Sequence, residues 1–462
     1  MKTTEKSKLP VSRKLKPPSS LLLRTFALGS VIFLTVSGGP YGLEPLMQYA
    51  GRNGALLLLL IVPLLWDVPT ILAVLELNSM MPEEGGYYLW VHRALGRRCA
   101  FYEGWWSWLY SFADLAIYPV LAVTYLSYFS PHLQDHKIAV CLAIVWGCAL
   151  LNITGIVNVG KTSVALGAII ILPFLVMFFK AFMSGAIPLS LPPQNLSGIG
   201  ISSLGLGIYT VMWNFLGWDN VTTYAGEVKR PVRTYLVSIA VSFVLILLVY
   251  FFTVLITLNS SIDFGRLNDS GFPLLGEKLG GPYLGKLIAA GGIAMAIGVF
   301  SAVMLSISRV PAAMAADRLM PAFLSKLHPV FKTPYLTIII CAAVVSCLSV
   351  FTLPELIVMD VLLYGAGLLL EFISLVVLRI KEPEAERPFR IPLNSFLLSA
   401  MLFIPVLVFG IALYGILSKP ESRHGIIWVA PAALLSAEIA WQALKKIKKQ
   451  SPPLNSYQQQ DD

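Results

Sequence analysis

The stretch Val36-Ser37-Gly38-Gly39-Pro40-Tyr41-Gly42 interrupts a long apolar segment near the start of the chain. A helix that crosses lipid must satisfy its own backbone hydrogen bonds, and the closely spaced glycines and proline prevent this. Such a break is stable at membrane depth only where it is buried in protein or lines a cavity. Interrupted helices of this kind mark substrate and ion sites in transporters. The stretch therefore indicates transport rather than simple membrane anchoring.

The composition is that of an integral membrane protein. Of the 462 residues, 56% are hydrophobic and 13% are charged, and the mean hydropathy is +0.75. A soluble domain carries roughly 25% charged residues. Residues 235–258 and 287–308 contain no charged side chain, and each segment exceeds the roughly 20 residues that span a bilayer.

The apolar segments predict an all-α fold with about twelve spans. The predicted spans are 22–50, 54–79, 101–130, 138–156, 162–184, 201–227, 234–258, 285–310, 334–351, 355–379, 394–418 and 424–443.

Membrane topology explains the net charge of +9. With an inner N-terminus and twelve spans, 26 of the 34 Lys and Arg residues fall in inner segments and 8 in outer segments. This bias is the positive-inside rule, and it predicts that both termini are cytosolic. Because the basic segments would face anionic lipid of the inner leaflet, we expect a bilayer partner and no nucleic acid.

The chain is expected to form one transmembrane domain over residues 21–445, flanked by disordered tails at 1–20 and 446–462. A second polar interruption, Trp213 to Asn220, lies in the sixth predicted span. Spans one and six would then be equivalent members of two inverted five-span repeats, each with a discontinuous helix. The predicted repeats cover about 21–184 and 201–380, and two peripheral spans cover 394–443.

Several stretches between about residues 25 and 420 resemble the amino acid–polyamine–organocation superfamily, most closely its polyamine-uptake branch. They are 36–44 (VSGGPYGLE), 82–90 (PEEGGYYLW), 114–119 (DLAIYP), 213–228 (WNFLGWDNVTTYAGEV), 308–321 (SRVPAAMAADRLMP) and 371–392 (EFISLVVLRIKEPEAERPFRIP). The resemblance implies two inverted five-span repeats with two peripheral spans, and proton-coupled uptake across the plasma membrane. The chain departs from the branch at Thr70, where the branch has an acidic residue; Asp67 lies one turn earlier.

The first break offers two kinds of ligand. Carbonyl groups near Thr35 to Ser37 carry partial negative charge, and N–H groups near Tyr41 to Leu43 carry partial positive charge. A zwitterionic amino acid would use both ends, whereas a polyamine would use only the carbonyl end. Pro40 removes one N–H donor, which argues slightly against a carboxylate.

Acidic residues inside spans are functional by default, because they are costly in lipid. Glu44, Asp114 and Asp219 are expected near the midplane, where they could hold the ammonium groups of a polyamine. Each has an alternative role, either capping a broken helix or pairing with a buried base, and for Glu44 capping is equally compatible. Glu371 is expected to act in a gate or in structure, and Asp360 is expected to be solvated near an outer end.

Aromatic rings beside the breaks could attract ammonium groups and pack methylene spacers, although most rings in such a chain simply pack. The candidate substrate-binding residues are Ser37, Gly38, Gly39, Pro40, Tyr41, Gly42, Glu44, Asp114, Tyr118, Trp213, Asn214, Trp218 and Asp219.

Protonation is the expected coupling device, since loss of a proton and gain of a cationic substrate can be linked at one carboxyl group. The coupling or gating candidates are Glu44, Asp67, Asp114, Lys161 and Glu227. Lys161 opens the fifth predicted span. The resemblance to the superfamily implies that an ammonium group on this span could replace a sodium ion, but the position of Lys161 near the inner end favours an anchoring role. Sodium remains an alternative coupling ion.

The sequence thus predicts a proton-coupled symporter for organic amines, with polyamines preferred and amino acids as the alternative substrate. A non-transporting sensor on the same fold is a further alternative. An enzyme is not expected, because HExxH and GxSxG motifs are absent. No cofactor or metal site is expected, since the five cysteines form no CxxC pair. The oligomeric state is not predicted.

Overall fold

The computed structural model describes residues 25–82, 86–154, 159–185, 190–220, 222, 231–316, 319–418 and 426–450. Within these ranges the protein is almost entirely helical and contains no strand. The predicted N-terminal tail and the coupling candidate Glu227 lie outside the described residues, and so does the side chain of Lys161.

Nine helices lie among the described residues of the first half of the chain. They are α1 (Thr25–Ile32), α2 (Glu44–Leu65), α3 (Asp67–Met80), α4 (Gly86–Leu95), α5 (Arg97–Ser127), α6 (His132–Asp135), α7 (Lys137–Thr154), α8 (Val159–Ser184) and α9 (Ile201–Trp213). A π-helical turn, Phe33–Ser37, extends α1.

The part of the second half that the structure describes contains another nine helices. They are α10 (Pro231–Asn259), α11 (Phe264–Ser270), α12 (Pro273–Gly280), α13 (Pro282–Ile307), α14 (Arg309–Ala316), α15 (Tyr335–Leu348), α16 (Leu353–Lys381), α17 (Ser395–Leu417) and α18 (Ile426–Gln450). A short 3-10 helix, Ala322–Ser325, precedes α15. Helix α18 continues five residues beyond 445, the predicted end of the domain.

The predicted fold class, an all-α membrane protein, is confirmed. Among the described residues, eight helical segments are long and apolar enough to cross a membrane. Three shorter apolar helices, Leu28–Ser37, Ile201–Trp213 and Tyr335–Leu348, belong to predicted spans one, six and nine. Spans one and six are short because their helices are interrupted, which is the predicted discontinuity.

The boundary between predicted spans one and two is less sharp than the sequence suggests. Helix α2 runs through both, and only Gly51, with φ of 63°, departs from helical geometry inside it. The second span is itself divided at Trp66, which separates α2 from α3. Pro63 and Pro69 flank this division, and each removes a backbone donor from the helix.

Helices α5 and α16 form the centre of the bundle. Helix α5 packs on α16, α13, α4, α7 and α15, and α16 also packs on α9 and α17. By contrast, α8 and α17 keep large apolar side chains exposed, as Phe179 and Phe403 illustrate. We call the end of the bundle that carries Arg93, Arg97 and Arg379 the basic side.

Helices α9 and α17 approach closely at a pair of glycines. A Cβ atom added to Gly205 would lie 2.7 Å from the backbone oxygen of Ala412 and 2.9 Å from Cα of Gly415. Both neighbours are backbone atoms, so no side-chain movement can relieve the contact. These glycines therefore fix the position of α9, the helix that leads into the second break.

We expect Gly205→Ala to lower the thermal stability of the detergent-solubilised protein, at a cost of about 1–3 kcal/mol for overpacking. Gly410→Ala is the matched control on α17, because nothing lies within 4 Å of an added Cβ there. Thermal denaturation followed by size-exclusion chromatography measures both variants. Equal melting temperatures for Gly205→Ala and Gly410→Ala would contradict the close helix contact.

Candidate functional site

The first break separates the π-helical turn at Phe33–Ser37 from α2. Gly38, Gly39 and Gly42 have φ values of 61°, 97° and 89°, which side chains other than glycine rarely adopt. A Cβ atom on Gly42 would also lie 2.5 Å from the ring of Trp213. The glycines thus allow both the reversal of the chain and the close approach of the second break.

The N–H groups of the first break are largely used by the protein itself. The amide of Gly38 donates to the oxygen of Phe33 at 2.9 Å, and that of Leu43 donates to the oxygen of Pro40 at 3.2 Å. The amide of Gly39 donates to Ser37 Oγ at 3.0 Å. The amide of Gly42 donates to Glu44 Oε2 at 2.7 Å.

The second break begins where α9 ends at Trp213, and it faces the first break directly. Asn214 Nδ2 lies 3.4 Å from the oxygen of Gly42. The hydroxyl of Tyr250, on α10, lies 2.6 Å from Ser37 Oγ and 3.1 Å from the oxygen of Asn214. The two interruptions are therefore joined by hydrogen bonds, as expected for paired discontinuous helices.

A narrow cavity lies where the two breaks meet. Helices α5, α13 and α16 close its other sides. The lining residues are Leu34, Thr35, Val36, Ser37, Tyr110, Asp114, Tyr118, Trp213, Asn214, Leu216, Gly217, Asn220, Met295, Val299, Asp360 and Tyr364.

Two carboxyl groups, those of Asp114 and Asp360, line this cavity. Asp114, on α5, accepts a hydrogen bond from Tyr118 at 2.8 Å and lies beside the indole of Trp213. Asp360, on α16, is close enough to Asp114 for a direct electrostatic interaction. Asp360 Oδ1 has no hydrogen-bond partner among the described residues.

The expectation that Asp360 is solvated is wrong. Its exposed fraction is 2%, because the N-terminal part of α16 is covered by α9 and α5. Its place near the end of an apolar segment suggested contact with water, but the packing of neighbouring helices is not visible in the local sequence.

Asp219 is buried beside the cavity rather than in its lining. It accepts a hydrogen bond of 2.6 Å from the hydroxyl of Tyr364, and Tyr364 does line the cavity. Tyr110 stacks edge-on against Tyr364 and donates to Asn220 Oδ1 at 2.8 Å. Asp219 therefore contacts the cavity through one tyrosine.

Glu44 has its two oxygens occupied by protein donors. Besides the amide of Gly42, it accepts from Tyr125 Oη at 3.0 Å and from the amide of Phe272 at 3.2 Å. Tyr41, one turn away, donates to the oxygen of Ile288 at 2.8 Å. This geometry is that of a cap on the broken helix, one of the two roles expected for Glu44.

Asp67 and Trp218 form a separate buried pair. The Trp218 indole N–H donates to Asp67 Oδ1 at 3.3 Å, while Asp67 Oδ2 lacks a partner among the described residues. Trp218 is fully buried, and neither residue lines the cavity.

Of the candidate substrate-binding residues, the structure gathers five around the cavity: Ser37, Asp114, Tyr118, Trp213 and Asn214. The remaining candidates lie behind this lining: Gly38, Gly39, Pro40, Tyr41, Gly42, Glu44, Trp218 and Asp219.

Asp360 and Tyr364 line the cavity, but neither is among the site residues predicted from the sequence. A signal was available, because Asp360, Tyr364, Gly367 and Glu371 follow a helical spacing of four, three and four residues on α16. Polar groups and a glycine on one face of an otherwise apolar helix indicate a face that meets polar protein groups.

Comparisons with known proteins agree with this architecture. A family model described as "Amino acid permease" matches residues 23–431. The chain is 33% identical to "Polyamine transporter RMV1" of Arabidopsis thaliana over 428 residues, which cover 91% of this chain and 84% of the relative. It is 32% identical to "Polyamine transporter PUT1" of Oryza sativa subsp. japonica over 402 residues, covering 86% and 74% of the two chains.

One bacterial relative is named for a different substrate. "Methylthioribose transporter" of Bacillus subtilis is 27% identical over 390 residues, covering 78% of this chain and 80% of its own. The relatives thus share transport across a membrane but differ in what they carry.

Proposed function

This chain belongs to the amino acid permease family, within the amino acid–polyamine–organocation superfamily, and we propose that it imports polyamines together with protons. In this proposal the protein works by alternating access in the plasma membrane, and both termini and the basic side lie in the cytosol. The excess of Lys and Arg in the predicted inner segments supports this orientation.

The carboxyl groups of Asp114 and Asp360 carry the proposal. Both line the cavity, and among the described residues its lining contains no Lys, Arg or His. An ionised carboxylate is costly to bury unless it is paired, and two that lie close together also repel. A ligand with two positive charges would remove both costs, and a polyamine carries ammonium groups at such intervals.

The first break favours an amine over an amino acid. An amino acid would need free N–H groups for its carboxylate, but the amides of Gly38, Gly39, Gly42 and Leu43 already donate to protein oxygens. The acceptor at Gly42 is Glu44, which would also repel a carboxylate. A polyamine needs no such donors, so it fits the break as it stands.

The aromatic lining suits the remainder of a polyamine. Tyr110, Tyr118, Trp213 and Tyr364 surround the two acids. Their faces attract ammonium groups and pack against methylene spacers. Two of the most similar relatives are named as polyamine transporters, which supports the same substrate class.

The test is uptake into proteoliposomes that contain the purified protein. Labelled spermidine is expected to accumulate when the outside is more acidic than the inside, and unlabelled spermidine is expected to compete. An excess of mixed amino acids is expected to leave uptake nearly unchanged. Accumulation that is driven by a sodium gradient rather than by the pH gradient would identify sodium as the coupling ion.

Two results would overturn this proposal. Full competition by amino acids without competition by polyamines would assign the protein to amino acid transport. Saturable spermidine binding without any accumulation would favour a sensor.

A further inference from the structure

Three further carboxyl groups meet on the basic side of the cavity. Asp219 lies in the second break, Glu103 on α5 and Glu371 on α16, and their exposed fractions are 3%, 1% and 2%. Gly367 makes room for the group, because a Cβ atom there would lie 2.9 Å from Glu103 Oε1. Glu371 follows Gly367 by one helical turn, so Glu103 of α5 packs on the face of α16 that carries Glu371.

A hydrogen bond between two of these groups would require a proton. The carboxyl groups of Asp219 and Glu371 lie within hydrogen-bonding reach of each other. Two ionised carboxylates have only acceptor oxygens, so a bond between them needs a hydrogen that one of the pair carries. Asp219 already accepts from Tyr364 at 2.6 Å.

Two buried oxygens of these acids are unpartnered. Glu103 Oε2 and Glu371 Oε2 have no hydrogen-bond partner among the described residues, although Ser107 Oγ donates to Glu103 Oε1 at 3.3 Å. A buried oxygen without a donor is costly, and protonation converts such an oxygen into a hydroxyl donor.

Among the described residues, phenol groups also face the three acids. Tyr87 on α4 faces all three acids, while Tyr110 on α5 and Tyr364 on α16 face Asp219. The ion pairs found among the described residues include none of the three acids. No His, Cys, Asp or Glu groups in the same part of the chain are placed to hold a metal ion. A proton is therefore the cation that fits this cluster.

We propose that Asp219, Glu371 and Glu103 form a proton-binding site that is separate from the cargo acids Asp114 and Asp360. This inference rests on the proposed function. Tyr364 links the two sites, since its ring lines the cavity and its hydroxyl donates to Asp219. Tyr87, 3% exposed, covers the acids from α4. The proton would enter through the cavity and leave past Tyr87 toward the basic side.

The geometry predicts that coupling and cargo binding can be separated by Glu371→Gln. In proteoliposomes, a gradient of one pH unit supports about tenfold accumulation for one proton per cargo molecule. We expect Glu371→Gln to lose this accumulation, and to lose the proton movement that a trapped pH-sensitive dye reports on spermidine addition. Exchange of internal for external spermidine at equal pH should stay within about threefold of wild type.

Glu103→Gln is the second variant, in case Glu371→Gln does not fold, and Glu384→Gln is the control at an exposed loop position. Unchanged gradient-driven accumulation in the folded cluster variants would overturn the inference. Loss of both exchange and binding in these variants would also overturn it, because the acids would then belong to the cargo site.

Infrared spectroscopy tests the proton site without any cargo. The wild-type protein is expected to show the C=O stretch of a buried protonated carboxyl group at neutral pH, and Glu371→Gln is expected to reduce it. An unchanged band would contradict the proton site even if the protein proved not to carry polyamines. Absence of spermidine binding and exchange in the wild type, with the band reduced as expected, would overturn the proposed function alone.

Discussion

Asp114→Asn is expected to weaken spermidine binding by about thirtyfold or more. Removing one partner from a buried charge pair costs about 2–5 kcal/mol, and each 1.4 kcal/mol is tenfold in affinity. The change keeps the shape of the side chain, and Tyr118 can still donate to the amide oxygen at this position. Asp360→Asn is expected to have a comparable effect. Its Oδ1 has no hydrogen-bond partner among the described residues, so the change would act on the contact with the ligand. Equilibrium binding of labelled spermidine to the purified protein measures both effects.

The matched control for these two changes is Asp269→Asn, at an exposed position on α11, which should bind spermidine as the wild type does. The double variant adds a further check. If the two acids hold one doubly charged ligand, they share a binding partner. The loss of binding free energy in the double variant should then differ from the sum of the losses in the two single variants. Wild-type affinity in both single variants would remove the two carboxyl groups from the cargo site.

The second large effect is expected at the basic side, where Arg379→Met should destabilise the fold by about 3–5 kcal/mol. Arg379 Nε and a terminal nitrogen each lie 2.6 Å from the oxygens of Glu76. The side chains are 2% and 0% exposed, so Arg379→Met removes the two-bonded cation of a buried carboxylate and leaves it only Arg387, whose Nε lies 3.4 Å from Glu76 Oε1. Arg379 also donates to the oxygens of Ile391 and Leu393, which attaches the segment after α16 to the bundle.

The pair Arg93 and Glu382 is the matched control. It has a comparable contact of 2.5 Å, but its side chains are 42% and 34% exposed. Exposed ion pairs contribute about 0–1 kcal/mol, so Arg93→Met should change the melting temperature little. Adding Glu76→Gln to Arg379→Met should restore part of the stability, because it removes a buried charge that Arg387 alone compensates while keeping an acceptor for the amide of Ile391. A melting temperature for Arg379→Met equal to that of wild type would show that the Arg379–Glu76 pair is not needed for stability.

The sequence was sufficient for the parts of the site that depend on local backbone chemistry. Gly38, Gly39 and Gly42 predicted the break because only glycine adopts their φ values readily, and the structure shows those values. Trp213 and Asn214 were candidates because they interrupt an apolar helix, and both line the cavity. These signals are local, so they remain readable without the fold.

Side-chain partners could not be predicted in the same way. Glu44, Asp114 and Asp219 all appeared as midplane acids, but the structure gives them different neighbours. Glu44 caps the first break and Asp219 contacts Tyr364, whereas Asp114 faces the cavity. Which partner an acid meets depends on helix rotation and crossing, and residues far apart in sequence supply it. Tyr364 lies 145 positions from Asp219.

The sequence by itself determined the all-α membrane fold, the two interrupted helices and the family, because hydrophobic length and helix-breaking residues act within single segments. Only the tertiary structure decided that Asp360 joins Asp114 in the cavity, and that Glu103 and Glu371 join Asp219 beneath it. The physical reason is that burial and charge pairing arise between helices. The cost of an acid in the membrane is therefore set by neighbours that its own segment does not contain.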